Sequence, residues 1–169
     1  MAAKTKDWAM KGDPAIIRTL NAILTNELTA VNQYFLHARM FESWGLKHLG
    51  QIIYEESIGE MKHADMLIKR ILFLDGLPNL QDLHKLSIGE TVPEALRADL
   101  ALEHAGRAAL VDGVKQCDEA RDYVTREILE RILEDTEDHI DFLETQISLL
   151  ASLGEQNYLQ SAMGELPGE

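Results

Sequence analysis

The chain has 169 residues, 46% hydrophobic and 27% charged, which suits one globular domain with a sizeable core. Its net charge of −13 argues against a nucleic-acid partner, and its single cysteine excludes an internal disulfide and a multi-cysteine metal site. The single cysteine is typical of a reducing, cytoplasmic location. No apolar run reaches the roughly 20 residues that span a bilayer, so we expect no membrane span.

The N-terminal residues 1–9 contain no apolar segment of the kind that a signal peptide needs. We expect them to form a flexible arm, or to precede a natural start at Met10. Residues 10–169 are then expected to form a single domain.

The first predicted helix begins at Asp13-Pro14, because Asp caps a helix and Pro fits its first position. Apolar residues recur at alternating steps of four and three as far as Phe41, which places them on one face. Glu27 and Tyr34 fall on the same face. The helix is expected to end at Gly45.

A second helix is predicted over residues 47–75, and Gly76-Leu77-Pro78 ends it. Residues 79–90 then show no helical period. A connection of that length is unusual between helices of a compact domain. It is typical of a bundle whose second and third helices are joined by a long crossover.

The third helix is predicted to open at Thr91-Val92-Pro93-Glu94, which reads as a capping box. Its boundary with the fourth helix is placed near residues 117–121, and Gly154 ends the fourth. Residues 156–163 can form one short further helix. The predicted fold class is therefore all-α, a four-helix bundle with a long crossover between helices 2 and 3 and a short fifth helix.

Six residues of types that commonly bind metals lie on helix faces that are otherwise apolar. A single buried carboxylate could pair with Arg107, which falls on the core-facing stripe of helix 3, in a purely structural polar network. Several together, against one or two basic residues, favour a bound cation, and oxygen and imidazole ligands suit iron, manganese or zinc. The residues are Glu27, Glu56, Glu60, His63, Glu103 and His139.

Their spacing matches a dinuclear iron site with one ligand missing. Bundles that bind two iron ions use one Glu from each of two helices and a Glu-x-x-His pair from each of the others. Glu60 and His63 form one such pair, but Thr136 stands three residues before His139 where the second Glu belongs. A neighbouring residue does not replace it by default, because one step along a helix is about 100° of rotation.

Several segments resemble bacterioferritin, the haem-containing branch of the ferritins. The resemblance extends from Met10 to about Gln160. It is carried by residues 10–13, 26–28, 32–40, 60–65, 76–83, 99–103 and 156–160.

This resemblance implies a hollow cage of twenty-four subunits that stores ferric mineral. It assigns the dinuclear iron ligands to Glu27, Glu60, His63, Glu103 and His139, with Tyr34 close to the site. These residues would hold iron(II) while oxygen or peroxide oxidises it.

The resemblance also implies haem b on each subunit two-fold axis, held by Met61 from both partners. Periodicity is compatible with that role, since Met61 follows Glu60 by one residue and so points to another face. Without the resemblance it would be read as a packing methionine. The resemblance places Leu28, Val31, Phe35 and Tyr54 around the haem.

Two departures from the family weaken the expected iron oxidation: Thr136, and the residues Glu55 and Gly59, where some members carry a His and an Asp that assist an extra iron site. The leading hypothesis is an iron-storage subunit with an impaired oxidation site, working in a homo- or hetero-oligomeric cage with a second subunit type and a redox partner protein. One alternative is a self-sufficient ferroxidase in which water, or a displaced Asp135 or Glu137, replaces the ligand. Another is an electron-transfer haem protein with a vestigial metal site.

The remaining histidines, His37, His48, His84 and His104, lack ligand partners at useful spacing. We expect them on the surface or behind the metal ligands. Cys117 is expected to be a small packing residue near a helix end.

Overall fold

The computed structural model describes residues 11–166, so the predicted arm at residues 1–9 lies outside the described residues. The described part contains five helices and no strand, which confirms the predicted all-α fold class. None of these helices is both long and apolar enough to cross a membrane. The helices are α1 (Pro14–Ser43), α2 (Lys47–Phe73), α3 (Val92–Glu119), α4 (Tyr123–Leu153) and α5 (Glu155–Met163).

The helix boundaries follow from local chemistry. The Asp13 side chain accepts a hydrogen bond from the Ala15 amide at 2.8 Å, with Pro14 in the first turn of α1. After α1 the chain turns through Gly45 at a φ of 86°, a left-handed conformation that favours glycine. At α3 the Thr91 hydroxyl accepts a hydrogen bond from the Glu94 amide, as the predicted capping box requires.

The apolar core consists of two clusters separated by polar side chains. On α1, one cluster ends at Leu24 and the other begins at Ala30. On α4 the corresponding limits are Ile132 and Leu143. All four long helices place buried polar residues in the interval. We call this set the polar layer: Glu27, Glu60, His63, Glu103, Thr136 and His139.

The crossover between α2 and α3 has no helix, as predicted, but a buried polar network fastens it. His37, which was expected on the surface or behind the metal ligands, is completely buried beside Asp99. Its Nε2 accepts a hydrogen bond from the Gly89 amide at 3.0 Å, so Nδ1 carries the proton and donates to Asp99. Gln33 likewise donates to Asp99 and accepts from the Ser87 amide, which ties the crossover to α1 and α3.

The prediction that Arg107 faces the core is wrong. Its side chain is 46% exposed and pairs with Glu137 at 2.7 Å. It therefore does not neutralise the carboxylates of the polar layer. The expected positions of His48, His84 and His104 on the surface and of Cys117 in the core are confirmed.

Candidate metal centre

The polar layer gathers ligand-type side chains from all four long helices. α1 supplies Glu27 and α3 supplies Glu103, one carboxylate each. α2 supplies Glu60 and His63, which share a helix face because they are three residues apart. α4 supplies His139. All five residues were predicted from the sequence, and the structure brings them together.

The first group of candidate ligands is Glu27, Glu60 and His63. The Nδ1 atom of His63 lies 3.1 Å from a carboxylate oxygen of Glu27 and 3.1 Å from one of Glu60. Its Nε2 atom lies 2.8 Å from Asp135 Oδ2 on the opposite side of the ring. A carboxylate on the far nitrogen is how proteins orient a metal-binding histidine.

The second group is Glu60, Glu103 and His139, so Glu60 belongs to both. The Nδ1 atom of His139 lies 2.8 Å from Glu103 Oε1, and the Tyr34 hydroxyl donates to the same oxygen. Tyr34 is thus beside the site, as the resemblance implied. Among the described residues, the buried Nε2 of His139 has no hydrogen-bond partner, unlike Nε2 of His63.

Thr136 is buried in the polar layer and contributes no ligand. Its hydroxyl donates to the Ile132 carbonyl at 2.8 Å, one turn back along α4. A small cavity of about 10 Å³ borders Thr136, Glu27, Glu60 and Glu103. That is room for about one water molecule.

The residues flanking Thr136 along α4 lie elsewhere. Asp135 contacts His63 Nε2, on the edge of the ring opposite the other carboxylates. Glu137 is about half exposed and paired with Arg107. Neither lines the cavity beside Thr136.

Burial without a cation leaves this site holding protons. Burial and the neighbouring Glu27 raise the pKa of Glu60 to about 8. Burial lowers the pKa of His63, but its hydrogen bonds to Glu27 and Glu60 outweigh burial and raise the pKa to about 11. Burial also raises the pKa of Glu103. A divalent cation replaces these protons, so the site suits a cation chemically.

Two residues of this site were not predicted from the sequence. Asp135 was judged only as a replacement for the missing Glu, whereas it contacts His63. Glu56 was counted among the core-facing acids but given no ligand role, although Oε2 of Glu56 lies 3.7 Å from Nδ1 of His139. Its position four residues before Glu60 was the signal for it.

A surface pocket of about 310 Å³ reaches the site. Both histidines of the polar layer border it. The remaining lining is mostly acidic, so the pocket favours cations over anions. The lining residues are Glu55, Glu56, Gly59, Glu60, His63, Asp135, Asp138 and His139.

A different face of α1 and α2 carries the residues that the resemblance places around haem. Met61 is 47% exposed and Phe35 is 45% exposed. The rings of Phe35 and Tyr54 lie 6.1 Å apart, and the Ser57 hydroxyl donates to the Val31 carbonyl. In this antiparallel pair Leu28 is therefore level with Met61. An exposed thioether on an apolar strip has the donor chemistry of an axial haem ligand.

The comparisons with known proteins agree with this geometry. The Ferritin-like domain family matches residues 17–153. A bacterioferritin of Mycobacterium leprae is 46% identical over 158 residues, which are 94% of this chain and 99% of the relative. A bacterioferritin of Brucella melitensis is 50% identical over 151 residues, 89% of this chain and 94% of the relative. A bacterial ferritin of Pseudomonas aeruginosa is 48% identical over 155 residues, 90% of this chain and 99% of the relative.

Proposed function

Because the chain belongs to the bacterioferritins, iron-storage proteins of the ferritin-like family, we propose that it is a cage subunit whose dinuclear iron(II)-oxidation site is impaired at Thr136. The observation that carries this proposal is the environment of Thr136. Thr136 lies in the polar layer among three carboxylates, and its hydroxyl donates a hydrogen bond to a backbone carbonyl of its own helix. We take residues 10–169 as one ferritin-like domain.

Iron(II) is the substrate in this proposal. Glu27 and His63 hold one ion, Glu103 and His139 hold the other, and Glu60 lies between the two. Two iron(II) ions side by side can each give up one electron, and dioxygen that accepts both becomes peroxide. Anionic ligands favour this step because they stabilise the higher charge of iron(III).

The two positions are unequal in this proposal. Each is bordered by two carboxylates and one histidine. However, Asp135 orients His63, while no described residue contacts the far nitrogen of His139. Loss of such support typically costs about 10–100-fold in metal affinity or activity. The ion at His139 is therefore the weaker one, and intrinsic oxidation by this chain is reduced.

The proposed assembly is a 24-subunit cage in the cytoplasm, made of this chain alone or together with a second subunit whose site is intact. We assign Met61 as the axial ligand of haem b shared by two subunits, with Leu28, Val31, Phe35 and Tyr54 around it. Haem bound there would supply a one-electron carrier toward the stored iron, with a redox partner protein as donor. The exposed apolar strip around Met61 supports this assignment.

A self-sufficient ferroxidase is the second candidate. The cavity beside Thr136 has room for about one water molecule, and a water there could complete the coordination of an ion. Under this alternative, cages of this chain alone would oxidise iron(II) without help.

The test is iron loading of the purified chain. We expect a cage by sedimentation, two iron(II) ions bound per subunit, slow oxidation and eventual mineral cores by electron microscopy. Rapid oxidation in the unmodified chain would favour the self-sufficient ferroxidase. A haem-binding protein that never forms mineral from iron would contradict iron storage altogether.

A further inference from the structure

A further carboxylate, Glu56, approaches the position at His139 from outside the group Glu60, Glu103 and His139. Its Oε2 lies 3.7 Å from His139 Nδ1, the same nitrogen that Glu103 approaches at 2.8 Å. Two ligands that are each about 2.1 Å from one ion are about 3.0–3.6 Å apart across angles of 90–120°. Glu56 is therefore close to the separation expected of two ligands on a shared ion.

The placement of Glu56 on α2 explains how it reaches this position. It precedes Glu60 by four residues, so both side chains project from one helix face. Its side chain is 36% exposed and borders the surface pocket that leads to the polar layer. A half-buried glutamate has the freedom to move by the few tenths of an ångström that ligation requires.

The two acids that flank Thr136 on α4 are already engaged. Asp135 is held at 2.8 Å by His63 Nε2, and Glu137 is held at 2.7 Å by Arg107. Glu56, by contrast, has no ion-pair partner other than His139 within the described residues.

We propose that Glu56 supplies, to the ion at His139, the carboxylate that Thr136 cannot. This inference rests on the proposed dinuclear iron site. The ion pairs of Glu56 in the described chain include His139 and not His63, so Glu56 completes one position instead of linking both. Glu56 fills the second position but does not add a second carboxylate shared by the two ions. Oxidation therefore stays slow although two ions bind.

The test is a titration of the assembled, metal-free protein with cobalt(II), whose visible absorbance reports protein ligands without oxidation. The parent should bind two ions per subunit. Glu56→Gln, which removes the charge and keeps the size, should retain the first ion and weaken the second by at least about tenfold. Asp138→Asn is the matched control. It removes the same charge from the same pocket, and Asp138 makes no ion pair with either histidine in residues 11–166.

A second comparison uses Thr136→Glu as background. If Thr136→Glu restores the missing ligand, Glu56→Gln should weaken the second ion much less there than in the parent, because the two carboxylates serve the same ion. Sedimentation of every variant shows that the assembly is intact.

The outcomes separate this inference from the proposed function. If Glu56→Gln binds two ions as tightly as the parent, Glu56 is not a ligand and the dinuclear site stands. A parent that binds a single ion also overturns the role of Glu56, and leaves the impairment at Thr136 in place. A parent that binds no ion overturns the dinuclear site, and the inference with it.

Discussion

Replacing Thr136 by Glu should have opposite effects on the metal-free and the metal-bound protein. The new carboxylate enters a layer that already holds Glu27, Glu60 and Glu103. Without a cation, added negative charge destabilises the fold, because burial already raises the pKa of Glu60 to about 8. With cations present, the same charge is a ligand, and binding becomes tighter.

The loss of stability expected for the metal-free Thr136→Glu protein has a steric part and an electrostatic part. The cavity beside Thr136 measures about 10 Å³, so a longer side chain must displace neighbours, at a typical cost of about 1–3 kcal/mol. Two unit charges 4–5 Å apart repel by about 3–4 kcal/mol at an effective dielectric constant of about 20. Protonation limits this repulsion, at about 1.4 kcal/mol for each pKa unit. We expect a net electrostatic cost of roughly 1–3 kcal/mol at pH 8.

Thr136→Gln is the matched control, since it has the size of Glu without the charge. Melting temperatures of the metal-free and cobalt(II)-loaded proteins give the two effects, at about 2–4 °C per kcal/mol. Thr136→Glu should melt below Thr136→Gln without metal and above it with metal. Stopped-flow absorbance should show faster iron(II) oxidation by Thr136→Glu in cages of this chain alone.

One result would refute this reasoning. If Thr136→Glu and Thr136→Gln melt together in both states, and if both oxidise iron(II) at the parent rate, residue 136 does not face the ions. If both iron positions are also already full in the parent protein, the chain is a self-sufficient ferroxidase.

Three further predictions follow from the same geometry. Met61→Leu should abolish haem absorbance with the assembly intact, while Met66→Leu on the same helix should keep it; a haem spectrum that survives Met61→Leu would remove the axial assignment. The metal-free protein should still sediment as a cage at neutral pH, because buried leucine and isoleucine supply most of the stability at roughly 25 cal/mol per Å²; monomers after chelation would count against this. Cobalt(II) affinity should rise with pH between 6 and 8, with protons released on binding, because Glu60 and His63 hold protons below their raised pKa values of about 8 and about 11; affinity that is independent of pH would contradict those shifts.

The helices and the residues of the polar layer were predictable from the sequence because both depend on local spacing. Glu60 and His63 are three residues apart on one helix. The crossover is recognisable in the sequence as a segment without helical periodicity. Asp13 and Gly45 mark the ends of α1 through backbone chemistry that is local as well.

Contacts between elements were not predictable in the same way. Arg107 has the helical phase of a core residue, but it lies 46% exposed beside Glu137. His37 has no ligand partner nearby in the sequence, yet it is buried and forms a hydrogen bond with Asp99, which is 62 residues away. The roles of Asp135 and Glu56 likewise depend on which side of an imidazole each carboxylate approaches. Spacing along one helix carries no information about that.

Anomalous diffraction from crystals of the parent protein, soaked with limiting iron(II) under anaerobic conditions, tests the central claim most directly. The claim is that the site impaired at Thr136 has two unequal iron positions, because Asp135 orients His63 while no described residue contacts the far nitrogen of His139. We predict higher occupancy at the position bordered by Glu27 and His63 than at the one bordered by Glu103 and His139. Equal occupancy at both positions, at every level of iron(II), would contradict it.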